Sequence, residues 1–194
     1  MNRTSKAAVA ALMVAVSFAG SVAAGALEDG VAAYEKGDYA TALRLLRPIA
    51  DQGDAGAQYN LGLMYANGQG VPQDYAAAVN WYRKAAEQGD NGAQVNLGLM
   101  YDNGQGVQQD YATAMSWYRK AAEQGYAPAQ NNLGVMYDNG EGVGQDDVSA
   151  HMWFNLAVAN GFKEAVRNRD MVARHMTPEQ IAEAQKLVRE WKPK

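Results

Sequence analysis

"GLMYANGQGVPQDYA", Gly62 to Ala76, is written again 36 residues later as "GLMYDNGQGVQQDYA", Gly98 to Ala112, and after a further 36 as "GVMYDNGEGVGQDDV", Gly134 to Val148. Self-similarity at a fixed period of 20–50 residues marks a solenoid, in which each unit is one supersecondary piece and its neighbours complete its core. Laid out in register, the units are 55–90, 91–126 and 127–162. Within a unit, "AQYNLGLMY" puts Ala57, Leu61, Met64 and Tyr65 on one helical face, and "DYAAAVNWYRKAAEQG" does the same with Ala78, Trp81, Tyr82 and Ala85. Each unit therefore reads as two antiparallel helices, A and B. No segment alternates with a period of two, so the chain reads as all-α.

Glycine and aspartate punctuate the units. Gly68, Gly104 and Gly140 fall where helix A must stop in a left-handed residue. Gly70, Gly106 and Gly142 let the turn reverse, and Val71, Val107 and Val143 can tuck beneath it. Asp74, Asp110 and Asp146 stand where helix B begins and can cap its free N–H groups. Gly89, Gly125 and Gly161 end helix B. Gly62, Gly98 and Gly134 lie inside helix A, where each costs about 1 kcal/mol relative to alanine. A recurring cost at one position implies close packing of helix A on its partner.

The combined phrase A-x-x-x-W-Y-x-K-A-A-E-Q-G-x-x-x-A-Q-x-x-L-G-x-M-Y-x-N-G-x-G-V-x-x-D resembles the Sel1-like repeat, a relative of the tetratricopeptide repeat (TPR). The resemblance implies a right-handed α-solenoid of antiparallel helix pairs. It extends in weaker form to both ends. At 27–54, "YEKGDYATALRLLRPIADQG" carries Tyr34, Asp38, Ala42 and Gly53 in matching roles with a shorter loop, like a TPR-like capping helix pair. At 163–194 a C-terminal cap is expected, with Lys163 to His175 as another helix A. "TPEQIAEAQKLVREW" follows as a helix with Thr177 as N-cap, Pro178 at its first position and Gln180 as capping-box partner. Solenoids need such terminal caps.

The first residues differ in kind. Arg3 and Lys6 precede an apolar run from Ala7 to Ala19, and small residues follow with Ala24-Gly25-Ala26 in an A-x-A arrangement. That order reads as a secretory signal peptide, 1–26, cut after Ala26 or after Ala24. The run is short beside the roughly 20 residues of a membrane span, and no span is expected after cleavage. The expectation is a periplasmic or secreted bacterial protein. The sequence has no cysteine, so disulfides, thiolate metal sites and cysteine nucleophiles are excluded.

By correspondence with TPR proteins, helix A lines the concave face. Tyr59, Leu63, Ala66 and Asn67 then face it in the first unit, and Val95, Leu99, Asp102 and Asn103 in the second. The third offers Asn131, Val135, Asp138 and Asn139. This is an apolar floor edged with amides and two carboxylates, suited to an extended or helical peptide. It holds no lysine–arginine cluster and favours a neutral or cationic ligand. The alternative reading makes these residues the solvated side of helix A. On helix B, Arg83–Glu87 and Arg119–Glu123 are i,i+4 pairs of an outer face, and Trp81, Trp117 and Trp153 recur as inter-repeat core.

Catalysis finds little support. Of two histidines, His151 replaces Val79 and Met115 of the other units and reads as a packing residue. No G-x-S-x-G or S-x-x-K occurs. The loop Asp138 to Asp147 lacks EF-hand spacing, and neither a metal nor a cofactor is expected. At a net charge of −4 with no basic stripe, nucleic acid is not an expected partner. The resemblance implies a non-catalytic scaffold for a protein or peptide, regulating an envelope signalling or assembly system. A host-contact factor is another role. A β-lactam-binding or hydrolysing activity belongs to cysteine-rich relatives whose disulfides are missing here.

Overall fold

The structure is a computed structural model and describes residues 25–193. The expected signal peptide lies outside the described residues except for Gly25 and Ala26. Those two already belong to helix α1, which is helical over 25–35. Then follow α2 (Tyr39–Asp51), α3 (Ala55–Asn67), α4 (Tyr75–Glu87), α5 (Asn91–Asn103) and α6 (Tyr111–Glu123). The chain ends with α7 (Ala127–Asn139), α8 (Asp147–Ala159), α9 (Ala165–Ala173) and α10 (Pro178–Glu190). No strand occurs among the described residues, and the architecture is an α-solenoid.

Local chemistry sets the helix ends. Asp74, Asp110 and Asp146 accept backbone N–H groups at the starts of α4, α6 and α8, as expected of N-cap carboxylates. Asp54 and Asp90 do the same for α3 and α5. At α7 that position is Tyr126, which offers no side-chain cap, and Pro128 in the first turn stands in. Gly68, Gly104 and Gly140 close the A helices at φ of 67°, 66° and 73°. In the turn beyond, a Cβ on Gly142 would stand 2.8 Å from the carbonyl oxygen of Tyr111, the first residue of the preceding B helix. Each A–B turn thus rests on the backbone of the repeat before it.

Packing runs both within and between units. The pairs α3–α4, α5–α6 and α7–α8 pack closely, as do α2–α3, α4–α5, α6–α7 and α8–α9. The core is a series of clusters, each joining one B helix to the next A helix. One holds Ala78, Tyr82 and Ala85 of α4 with Ala93, Leu97 and Met100 of α5. Trp81 and Trp153 are buried in such clusters, whereas Trp117 is only partly buried. Lys84 and Lys120 lie 4.2 and 3.8 Å from the ring centres of Trp81 and Trp117.

Two features of the ends differ from expectation. The helix sought over Lys163 to His175 is shorter, Ala165–Ala173, because Glu164 gives no side-chain cap and Arg174 ends it. Thr177 and Gln180 do form the capping box of α10. That helix packs on α8, however, and does not form a close pair with α9. Ala184 of α10 joins Ala165 and Val172 of α9 against Phe154 of α8. Trp191, just past α10, meets Trp153 edge-on at 6.3 Å between ring centres.

Candidate functional site

The A helices form a row, with α3 touching α5 and α7 touching α9. Leu63, Leu99 and Val135 recur along that row at 36-residue intervals. All three are half-buried, each against a different core cluster. Tyr59 is half-buried as well. Its ring centre lies 6.2 Å from that of Tyr82, and its edge covers Gly92 of the next A helix. Burial pushes its phenol pKa up. Val95, the counterpart of Tyr59, departs from expectation. It is only 8% exposed and belongs to the core with Met115 and Leu133, because a short branched side chain cannot reach past its neighbours. Ala66 is buried too.

The polar positions divide. Asn131 Oδ1 accepts from Asn168 Nδ2 at 2.9 Å, joining α7 to α9. Asp102 accepts from the Tyr118 hydroxyl at 3.2 Å. Burial raises the Asp102 pKa, with Glu141 adding to the rise. Burial also raises that of Asp138, helped by Asp147 and opposed by His175. Asn103 donates to the Leu99 carbonyl at 2.9 Å and so serves its own helix end. Asn67 and Asn139 are exposed. What the row presents is an apolar line, Leu63–Leu99–Val135, bordered by Tyr59 and Asn131 on one side. Asp102, Asp138 and the exposed asparagines border it on the other.

Several residues in this frame carry roles that helical spacing does not suggest. Gln58, Gln94 and Gln130 are buried at 3%, 3% and 0% exposure. Each donates Nε2 to a carbonyl of the preceding B helix, at Ala50, Ala86 and Ala122. Each also accepts from the end of its own B helix, through Gln88, Gln124 and Asn160. Their signal is an amide recurring inside an apolar phrase. Arg83 does not keep to the expected i,i+4 pairing with Glu87. Its guanidinium donates to the Tyr101 hydroxyl at 2.9 Å, across the repeat boundary. Arg47 reaches Tyr65 and Arg119 reaches Tyr137 in the same way. Arg167 and Met171 of α9 lie 36 residues after Asn131 and Val135 and continue their series, and the period alone is enough to locate them.

His151 is 5% exposed, and its Nδ1 lies 3.0 Å from Asn155 Nδ2. The amide donates, so the ring nitrogen accepts and the imidazole is neutral. Burial pushes its pKa down, and the Arg169 charge pushes the same way. Among the described residues no cluster of three or more His, Asp or Glu is placed to hold a metal ion. No helix among them is long and apolar enough to cross a membrane. Two clefts adjoin the C-terminal end. One of about 630 Å³ lies between α7 and α9, and one of about 390 Å³ between α8 and α10.

Comparison with known proteins gives a consistent picture. The family model described as Sel1 repeat matches residues 23–54, 55–90, 92–126 and 127–162. Among solved structures, a protective antigen of uropathogenic Escherichia coli with an SLR fold is 38% identical, with a TM-score of 0.73 over 78% of this chain and 32% of that one. A Sel1 repeat protein from Oxalobacter formigenes is 34% identical, with a TM-score of 0.71 over 75% of this chain and 58% of that one. The matches thus span about a third and somewhat over half of those two chains. Comparison with curated proteins gives no match.

Proposed function

This chain belongs to the Sel1 repeat family, whose members are generally non-catalytic protein-interaction scaffolds, and we propose that its concave face binds a protein or peptide partner. The observation that carries the reading is the line Leu63–Leu99–Val135, half-exposed at the same position of three successive A helices. Apolar side chains that recur at a repeat period and stay partly open to solvent line up as a strip that a partner can cover. A peptide laid along it buries that strip, and the exposed Asn67, Asn103 and Asn139 offer amides to its backbone.

We further propose that the protein is exported and acts in the cell envelope, in a signalling or assembly system. The order of charged, apolar and small residues over 1–26 supports this. Mass spectrometry of the native protein is expected to find Gly25 or Leu27 at the N-terminus. An intact Met1 on a cytoplasmic protein contradicts it. Contact with a host protein is a second reading, favoured by the likeness to a protective antigen.

Photo-cross-linking tests the face itself. A benzoylphenylalanine at Leu99 is expected to trap a partner in envelope extract. The same group at Ser116, exposed on α6, is expected to trap none. Capture from Ser116 alone would remove the concave face from consideration.

A further inference from the structure

We propose that the concave face continues onto α9 and ends in a cationic corner, formed by Lys163 and Arg167, that receives the acidic side chains of a bound peptide. This rests on the concave-face reading and adds the chemistry of the partner. The register comes from the core. Ala165 is as fully buried as Ala129, and Val172 matches Met136 at 2% and 1% exposure, each pair 36 residues apart. The same offset carries Asn131 to Arg167 and Val135 to Met171. Met171 is 48% exposed, so the strip Leu63–Leu99–Val135 gains a fourth apolar member.

Beside it lies the cleft of about 630 Å³, whose wall includes Asn131, Phe162, Lys163, Glu164, Arg167 and Asn168. Two cations face one acid there. Among the described residues neither Lys163 nor Arg167 takes part in an ion pair, whereas the neighbouring Arg169 holds Asp170 at 2.7 Å and Lys186 lies 3.5 Å from Glu183. The Asn168 bond uses the Oδ1 of Asn131, whose Nδ2 remains a donor in the cleft wall. An ammonium, a guanidinium and an amide donor together suit carboxylates.

Charge along the chain favours the same occupant. Residues 27–162 carry sixteen acidic side chains against seven cations, whereas 163–194 carry eight cations against five acids. The cap reverses the sign of the body. On the concave face this sets a polarity, with Asp102 and Asp138 at one border repelling acidic groups and the α9 corner attracting them. A peptide therefore binds with its acidic end at α9 and its apolar residues over Val135 and Leu99.

A bead-bound random decapeptide library with amidated C-termini tests this, because only side-chain carboxylates are then available. The purified protein is expected to select sequences enriched in Asp and Glu, and 0.5 M salt is expected to weaken their binding. Lys163→Glu with Arg167→Glu is expected to weaken the selected peptides about tenfold, two exposed ion pairs being lost. It should also shift selection toward Lys and Arg. Circular dichroism and thermal melting check that the variant is folded, and Lys163→Gln with Arg167→Gln replaces it if it melts early. Selection without acidic enrichment, selection unaltered by the reversal, or no selection at all overturns the proposal. Non-acidic peptides that still depend on Leu99 and Val135 would remove the α9 corner alone. Indifference to those residues as well would remove the concave-face reading with it.

Discussion

The ring of Tyr118 lies directly on Gly98, so close that a Cβ there would stand 2.5 Å from Cε1. Gly134 and Phe154 repeat the contact at the same distance, and Gly30 meets Leu46 in the N-terminal pair at 2.7 Å. The A and B helices of a unit approach as nearly as a missing side chain allows. Replacing Gly98 by leucine is therefore expected to cost about 1–3 kcal/mol through overpacking, even though leucine favours a helix by roughly 1 kcal/mol over glycine. Urea unfolding reads the difference, and an unchanged midpoint would mean that Gly98 faces solvent.

The buried glutamines give a second expectation. Gln94 joins α4, α5 and α6 through the Ala86 carbonyl at 3.1 Å and Gln124 at 3.3 Å. Gln94→Ala removes both bonds and leaves a gap at a 3% exposed position, while the Ala86 carbonyl keeps the Gly89 N–H, and is expected to cost about 1–3 kcal/mol. Gln124→Ala, at an exposed position, removes one of the two bonds and opens no buried gap, so it should cost less, about 1 kcal/mol. Equal losses from the two in urea titrations would show that Gln94 does not act as the tie between units.

The contrast between Gly98 and Gln94 separates what is legible in the sequence from what is not. A glycine inside a helix, or an aspartate ahead of one, acts through its own few residues, so the roles of Gly104 and Asp110 can be read directly from their spacing. Gln94 acts through Ala86, eight residues back, and Gln124, thirty residues on. Neither partner is suggested by helical spacing. Arg83 points to Glu87 in the sequence for the same reason, because i,i+4 is the nearest acid a lone helix offers it. The actual partner, Tyr101, exists only once two repeats are stacked. Val95 departs for a different reason. Its place in the repeat matches that of Tyr59, but side-chain length decides that it sinks into the core where Tyr59 stays partly open. The packing of α10 on α8 is not legible at all, since no repeat period reaches that far.

Acid stability follows from His151. Its folded pKa is pushed below the ordinary imidazole value of 6.5 by burial and by Arg169, with Asp170 opposing. The unfolded chain then binds the proton more readily, so stability is full above about pH 6.5 and falls as pH drops below it. Melting temperatures from pH 7.5 to 5.5 are expected to decline for the native protein. His151→Met, matching the residue at the same position of the preceding unit, should show a flatter profile. Parallel profiles would mean that His151 is charged in the folded state.

The C-terminal cap is held partly by Trp191 against Trp153. Trp191→Ala removes an aromatic contact and uncovers apolar surface beside Val188 and Met152, which pack on the same cluster. A loss of about 1–3 kcal/mol is expected, with hydrogen exchange rising first in α10. Exchange rising equally along the whole chain would contradict a local cap.

Concave binding is most directly tested by titration calorimetry with the partner trapped at Leu99. Substituting Tyr59, Leu99 and Val135 by serine removes half-buried apolar contacts from three successive A helices, each worth on the order of 1 kcal/mol. Affinity is expected to fall at least about tenfold while helical content is retained. Arg83→Glu with Arg119→Glu, on the opposite helices, removes hydrogen bonds at or near the surface and should leave affinity within a few fold. Normal binding by the triple variant, with capture abolished by the two reversals, would place the function on the B helices and contradict the account.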